Sequence, residues 1–165
     1  MDLARLLRHL ATPSRIVRRR FPTSALNAIE AAIAAAEQRH EPEIRFAVEG
    51  ALHARAILRG VSPRDRAIAL FGELRVWDTE HNTGVLIYLL LAERGVEIIA
   101  DRGVSAVVAP AEWEAICREM EAHLREGSYE AAALAGIHAV SDLLAQHFPG
   151  SRAPRREQPD RPVVL

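Results

Sequence analysis

Apolar residues recur every three or four positions in five stretches of the chain, and this spacing predicts amphipathic helices. The stretches are residues 3–10, 22–40, 62–76, 110–126 and 128–148, with a less regular sixth at 51–59. Three further stretches have strand patterns: residues 43–49 alternate apolar and polar side chains, whereas 85–92 and 96–100 are almost wholly apolar. The continuous apolar run from Val85 predicts a central strand that is covered on both faces.

The order of these elements predicts an α/β fold. We expect a small mixed β-sheet with a strand–helix–strand–strand core, sandwiched between helix layers. A helix joins the first two strands, which should therefore be parallel, whereas the short break at Arg94-Gly95 should make the last two antiparallel. Residues 1–20 are predicted to be a basic N-terminal helical arm, residues 21–148 the domain, and residues 149–165 an irregular C-terminal tail. The apolar end of that tail, Val163 to Leu165, is able to dock on a groove.

The composition excludes several functional classes. A formal net charge of −1 argues against a nucleic-acid partner. All 21 basic residues are arginine, so chemistry that needs a lysine, such as Schiff-base formation, is excluded. Cys117 is the one cysteine, which rules out a disulfide within the chain and a cysteine-rich metal site. No apolar run is long enough to span a bilayer and no secretory-signal pattern is present, so we expect a cytoplasmic location, free or peripheral to a membrane.

The N-terminal arm has two interpretations. Leu3, Leu6, Leu7 and Leu10 fall on one helical face, and a cluster of arginines at 15–20 follows. One interpretation is weak attachment to an anionic membrane surface. The other is a short helix packed on the domain, followed by a solvated charge run.

The predicted hairpin brings two acidic segments together. In an antiparallel pair the start of one strand lies beside the end of the other, so Gly84 should adjoin Asp101. A parallel first strand places its own start at the same edge. This edge therefore gathers candidate metal ligands, which are Glu43, Asp78, Glu80, Asn82 and Asp101, with His81 and Arg102 beside them.

Carboxylates at one edge repel each other unless positive charge neutralises them. A hard divalent cation such as Ca²⁺, which takes roughly six to eight oxygen ligands, is one solution. Pairing with Arg45, Arg75 or Arg102 is the other, and Asp78 and Asn82 then act as turn residues. The spacing matches no EF-hand loop, and no organic cofactor is expected.

Four segments of the chain resemble the TPM domain family. They are EIRFAVE at Glu43–Glu49, LFGELRVW at Leu70–Trp77, NTGVLIYLLLAERGVEIIADRGV at Asn82–Val104, and Gly127-Ser128-Tyr129-Glu130 followed by Ala135-Gly136-Ile137. The resemblance extends over roughly residues 29–148. It points to the short, soluble, stand-alone bacterial branch of the family.

The resemblance implies a mixed sheet between helix layers and a function at the acidic end of that sheet. Some members of the family bind calcium there, and a plant member is described as an acid phosphatase. We therefore expect a non-catalytic module that binds a divalent cation or docks a protein partner, such as a membrane-anchored relative. The alternative is a metal-assisted acid phosphatase in which Asp101 and Arg102 are the catalytic residues and Arg102 holds the phosphate.

Overall fold

The computed structural model describes residues 2–13, 15–150 and 158–165 of the chain. Within these residues the elements in chain order are α1 (Leu3–Ala11), α2 (Ile16–Arg20), α3 (Thr23–Ala36), β1 (Ile44–Glu49), α4 (Ala54–Leu58), α5 (Pro63–Glu73), β2 (Val85–Leu90), β3 (Gly95–Ala100), α6 (Arg102–Ser105), α7 (Pro110–Arg125), α8 (Tyr129–His147) and β4 (Val163–Val164). Among the described helices, none has the length and apolar character needed to cross a bilayer.

The four strands form one sheet in the order β3-β2-β1-β4. β1 and β2 are parallel, with Ile44 opposite Val85, and β2 and β3 are antiparallel, with Val85 opposite Ala100. Both pairings and the mixed character of the sheet confirm the predicted topology. All six residues of β2 are buried, as expected for a strand covered on both faces.

Helices cover both faces of the sheet, so that the sheet separates two apolar clusters. On one face Phe46, Ile87 and Ile98 pack against residues from α3, α7 and α8. On the other face Leu86 and Tyr88 pack against residues from α4 and α5. The predicted arrangement of a sheet between helix layers is therefore confirmed.

Two short elements that follow the N-terminal arm were not predicted. α6 follows directly after Asp101, and β4 pairs with β1 in parallel, with Ala47 opposite Val163. The pairing of β4 makes β1 an interior strand, and all of its residues are buried, including Arg45 and Glu49. The alternation of polar residues in β1 thus does not mark a solvent-exposed face.

Candidate functional site

The predicted acidic edge lies where β2 begins and β3 ends, and we call residues 78–84 together with Asp101 and Arg102 the acidic rim. The amide of Val85 donates to the carbonyl of Glu43 at 2.9 Å, and the amide of Asp101 donates to the carbonyl of Gly84 at 2.9 Å. These bonds place the starts of β1 and β2 and the end of β3 side by side. The loop before β2 and the aspartate after β3 are therefore neighbours, as the hairpin geometry predicts.

Two glycines allow the backbone segments of the rim to approach closely. A Cβ atom on Gly84 would overlap the backbone carbonyl oxygen of Val76. A Cβ atom on Gly103 would lie 2.7 Å from the carbonyl oxygens of both His81 and Asn82. Any side chain at either position would force these backbone segments apart, so the glycines fix the shape of the rim.

Asn82 joins the loop to α6. Its backbone lies in the left-handed region, with φ of 56°, which asparagine tolerates better than most residues. Its carbonyl accepts a hydrogen bond from the Gly103 amide at 3.0 Å, and its side-chain oxygen accepts one from Nη2 of Arg102 at 2.8 Å. Asn82 and Arg102 are therefore in direct contact.

Asp101 caps α6, and its two carboxylate oxygens differ in environment. Oδ1 accepts a hydrogen bond from the Arg102 amide at 2.7 Å. Oδ2 is inaccessible to solvent and has no hydrogen-bond partner in the described part of the chain. A carboxylate oxygen that is removed from water without a hydrogen-bond donor raises the free energy of the folded state.

Asp78, Glu80 and His81 occupy the exposed turn that leads into β2. The turn is held by its own hydrogen bonds, including one from the Thr83 amide to Oγ1 of Thr79 at 2.9 Å. His81 pairs with Glu41, with 2.6 Å between Nδ1 and Oε1. No hydrogen bond joins the Asp78 carboxylate to Asp101 within the residues that the structure describes.

Glu43 is directed toward an acidic partner that the sequence did not suggest. Its side chain is buried and shares a hydrogen bond with the carboxyl group of Glu37, just after the end of α3. Burial and the neighbouring Glu43 raise the pKa of Glu37 to about 9, so Glu37 is protonated at neutral pH. The helical spacing from Ile29 through Ile33 leads to position 37, so an acid on the apolar stripe was the available signal.

The chain is similar to a known protein family. The profile of the TPM domain matches residues 20–143. The chain belongs to the TPM domain family. Among solved structures, the NMR structure of the BA42 protein from the psychrophilic bacterium Bizionia argentinensis is similar to this TPM domain. The two are 25% identical with a TM-score of 0.78, and the match covers 88% of this chain and 95% of that chain. No curated protein matches the chain.

The described side chains of this TPM domain include no preassembled metal cage. Within residues 2–13, 15–150 and 158–165, no three His, Cys, Asp or Glu side chains converge closely enough to hold a metal ion. A cation at the rim would therefore need backbone carbonyls, the Asn82 side chain or water to complete its ligand shell. Such incomplete shells bind Ca²⁺ weakly.

Cys117 does not provide this TPM domain with a nucleophile. The residue is half-buried on α7, next to the apolar cluster beneath β3. Burial, together with the nearby Glu97 and Glu121, raises the pKa of the Cys117 thiol to about 12. The thiol is therefore protonated at neutral pH, whereas nucleophilic attack needs the thiolate.

Proposed function

We propose that this TPM domain is a non-catalytic module whose acidic rim binds a divalent cation, with Ca²⁺ as the best match to an all-oxygen donor set. The observation that carries the proposal is the buried Oδ2 atom of Asp101, which has no hydrogen-bond donor among the described residues. A cation beside this oxygen would offset the cost of burying it.

The residues of the rim fit a weak, partly hydrated site. Asp101 is held in place by its bond to the Arg102 amide, and Asn82 offers a side-chain oxygen once Arg102 releases it. Asp78 and Glu80 lie exposed on the adjoining turn. Since few of these oxygens are oriented in advance, we expect a dissociation constant on the order of 10⁻⁴–10⁻³ M.

Calorimetric titration of the full chain with CaCl₂ and with MgCl₂ tests the proposal. We expect saturable binding of Ca²⁺ and, at tenfold excess over the dissociation constant, a rise in Tm of about 3 °C because the ligand stabilises only the folded state. The Asp101→Asn variant keeps the oxygen that caps α6 and should lose the binding.

Asp142→Asn is the matched control because Asp142 is an exposed aspartate on α8 that pairs with Arg39, far along the chain from the rim. Binding by the wild-type chain that is unchanged in Asp101→Asn would place the cation elsewhere. No heat and no change in Tm with millimolar Ca²⁺ and Mg²⁺ would remove the cation from the proposal.

A protein partner is the other occupant that we propose for the same rim. The side chain of Trp77, at the start of the loop, is 50% exposed, and tryptophan is frequent among the residues that dominate protein interfaces. A membrane-anchored relative is the kind of partner that the family suggests. Loss of the complex with such a relative in Trp77→Ala, with calcium binding intact, would identify the surface at Trp77, beside the rim, as the docking surface.

The alternative function is a metal-assisted acid phosphatase, and the position of Arg102 favours it. The exposed Arg102 guanidinium contacts Asn82 beside Asp101, where it could hold a phosphate. Hydrolysis of p-nitrophenyl phosphate that requires a divalent cation and is lost in both Asp101→Asn and Arg102→Gln would support this activity. Turnover that survives both substitutions would come from a contaminant.

A further inference from the structure

The N-terminal helix α1 packs on the domain through polar side chains and through one partly buried leucine, Leu6. Arg5 forms an ion pair with Glu93 at 2.8 Å and donates to the carbonyl of Val61 at 2.9 Å. His9 is buried, contacts Glu93 through Nε2 at 2.9 Å and accepts from the Leu52 amide through Nδ1 at 3.0 Å. The face that anchors α1 to the domain is therefore largely charged and polar.

The opposite face of α1 is apolar and is directed to solvent. Leu3, Leu7 and Leu10 are 57%, 56% and 64% exposed, and their spacing places them within about 60° of one another around the helix. A helix that packs on its own domain normally buries its leucines. Here the docked side is the polar one, so the leucines form an exposed stripe, which we call the leucine face.

Four exposed arginines lie on α1 and α2. Arg8 lies on α1, and Arg18, Arg19 and Arg20 form the end of α2. Within the described residues Arg8, Arg18 and Arg19 have no ion pair, while Arg20 lies over the ring of Tyr129 at 4.7 Å.

A cavity of about 630 Å³ adjoins α1 on the side that carries Arg8. Four arginines line it, namely Arg8, Arg20, Arg94 and Arg125, along with two glutamates, Glu93 and Glu121. Both glutamates are already paired, Glu93 with Arg5 and His9 and Glu121 with Arg125. The cavity next to α1 therefore carries surplus positive charge.

The leucine face and the acidic rim lie at opposite ends of the sheet. Glu93, which anchors α1, lies in the turn after β2, whereas the rim residues come directly before β2. A six-residue strand separates the two ends by roughly 20 Å. A negatively charged surface that approached the leucine face would meet the arginines of α1 and α2 and not the carboxylates of the acidic rim.

We infer that the leucine face docks on an anionic phospholipid bilayer. The three leucines enter the interface between head groups and acyl chains, and the flanking arginines contact lipid phosphates. Positive charge next to the exposed apolar stripe selects a lipid surface over a neutral partner. The inference is independent of the function proposed for the rim, since it uses none of the rim residues.

Vesicle sedimentation with the full chain tests the inference. The probes are vesicles of phosphatidylcholine alone and of phosphatidylcholine with one third phosphatidylglycerol. We expect binding to the anionic vesicles that weakens at least tenfold between about 0.05 and 0.5 M NaCl, because salt screens the arginine contacts. Neutral vesicles should bind at least tenfold more weakly than anionic ones at low salt.

Two double variants, each with a matched control, test whether vesicle binding depends on the leucine face and on the arginines near it. Leu3→Ser/Leu7→Ser should reduce binding to anionic vesicles by at least tenfold, since roughly that factor follows from the loss of two inserted leucines. Ile68→Ser/Val107→Ser is the matched control because these side chains are 52% and 51% exposed outside α1, and it should bind like the wild type. Arg8→Gln/Arg19→Gln should weaken binding and reduce its salt dependence, whereas Arg39→Gln/Arg118→Gln should not.

Circular dichroism of each variant shows whether the domain is folded, and Arg8→Gln/Arg19→Gln tests the surface without altering the leucines. Absence of binding to anionic vesicles at low salt would overturn the inference, as would equal binding by the leucine variant and its control. Light scattering addresses a second copy of the chain as the occupant. A wild-type dimer that becomes a monomer in Leu3→Ser/Leu7→Ser, with no vesicle binding, would also overturn it.

Discussion

The half-buried Glu37 and the buried Glu43 share a hydrogen bond next to the start of β1. Two ionised carboxylates in hydrogen-bond contact would repel each other strongly, and burial together with this repulsion raises the pKa of Glu37, so that the pair holds a proton. The Glu37 carboxyl group also accepts a hydrogen bond from the Ile44 amide at 3.2 Å. Glu43, one of the metal ligands predicted from the sequence, is therefore held by Glu37, and the sequence analysis did not predict this contact.

This pair predicts a pH-dependent stability. The pKa of Glu37 is raised from 4.5 to about 9 in the folded protein, so the folded state holds a proton that the unfolded state has lost between these values. The contribution is complete below pH 4.5 and is lost as the pH rises toward about 9. Glu37→Gln, which resembles the protonated acid, should therefore gain stability relative to the wild type as the pH increases.

Thermal unfolding at several pH values between 5 and about 9 measures this difference. Glu119→Gln is the control because Glu119 is exposed on α7, and its difference from the wild type should not vary with pH. A Glu37→Gln variant whose Tm runs parallel to that of the wild type across this range would contradict the shared proton.

At the scale of elements, the long apolar patterns were predictable and the short ones were not. β2 and β3 are recognisable because continuous apolar residues flank the Arg94-Gly95 turn, and α7 because a proline begins a regular apolar stripe. The pairing of β4 depends instead on a partner more than a hundred residues away, which no local pattern contains. α6 is only four residues long and its cap is the Asp101 side chain.

Candidate site residues were predictable only as far as strand geometry reaches. Strand pairing alone requires Gly84 to adjoin Asp101, and the structure has that contact. The environment of each carboxylate depends on the direction of its side chain. The alternation of side chains between the two faces of a sheet does not fix that direction at the ends of strands. The orientation of Glu43 toward Glu37 and the bond between Arg102 and Asn82 were therefore not predictable.

We expect β4 to stabilise the domain through the side chain of Val163 more than through that of Val164. Val163 packs on the apolar cluster opposite Ala47, whereas the neighbouring Val164 is 41% exposed. Val163→Ser should lower the free energy of unfolding by about 1–2 kcal/mol, and Val164→Ser should change it by less than about 0.5 kcal/mol. Urea unfolding of the two variants measures both values, and equal effects would mean that β4 is not docked in solution.

For the whole molecule, the leucine face and the acidic rim lie at opposite ends of the sheet. Arg8 and Arg20 line the cavity beside α1 at one end, and the candidate acids of the rim lie with Arg102 at the other. A molecule docked through the leucine face would hold the rim away from the bilayer. Calcium affinity should accordingly be the same with and without anionic vesicles, after correction for calcium bound by the lipid, and titration in both conditions checks this.

The raised pKa of Cys117 has a practical consequence for studying the domain. A half-buried thiol with a pKa of about 12 reacts slowly with iodoacetamide in the folded protein, but at the ordinary rate once α7 separates from β3. Because the chain has no other cysteine, its alkylation reports a single opening event. Mass spectrometry of the modified fraction over time would thus measure how often that layer of the fold opens, without any engineered label.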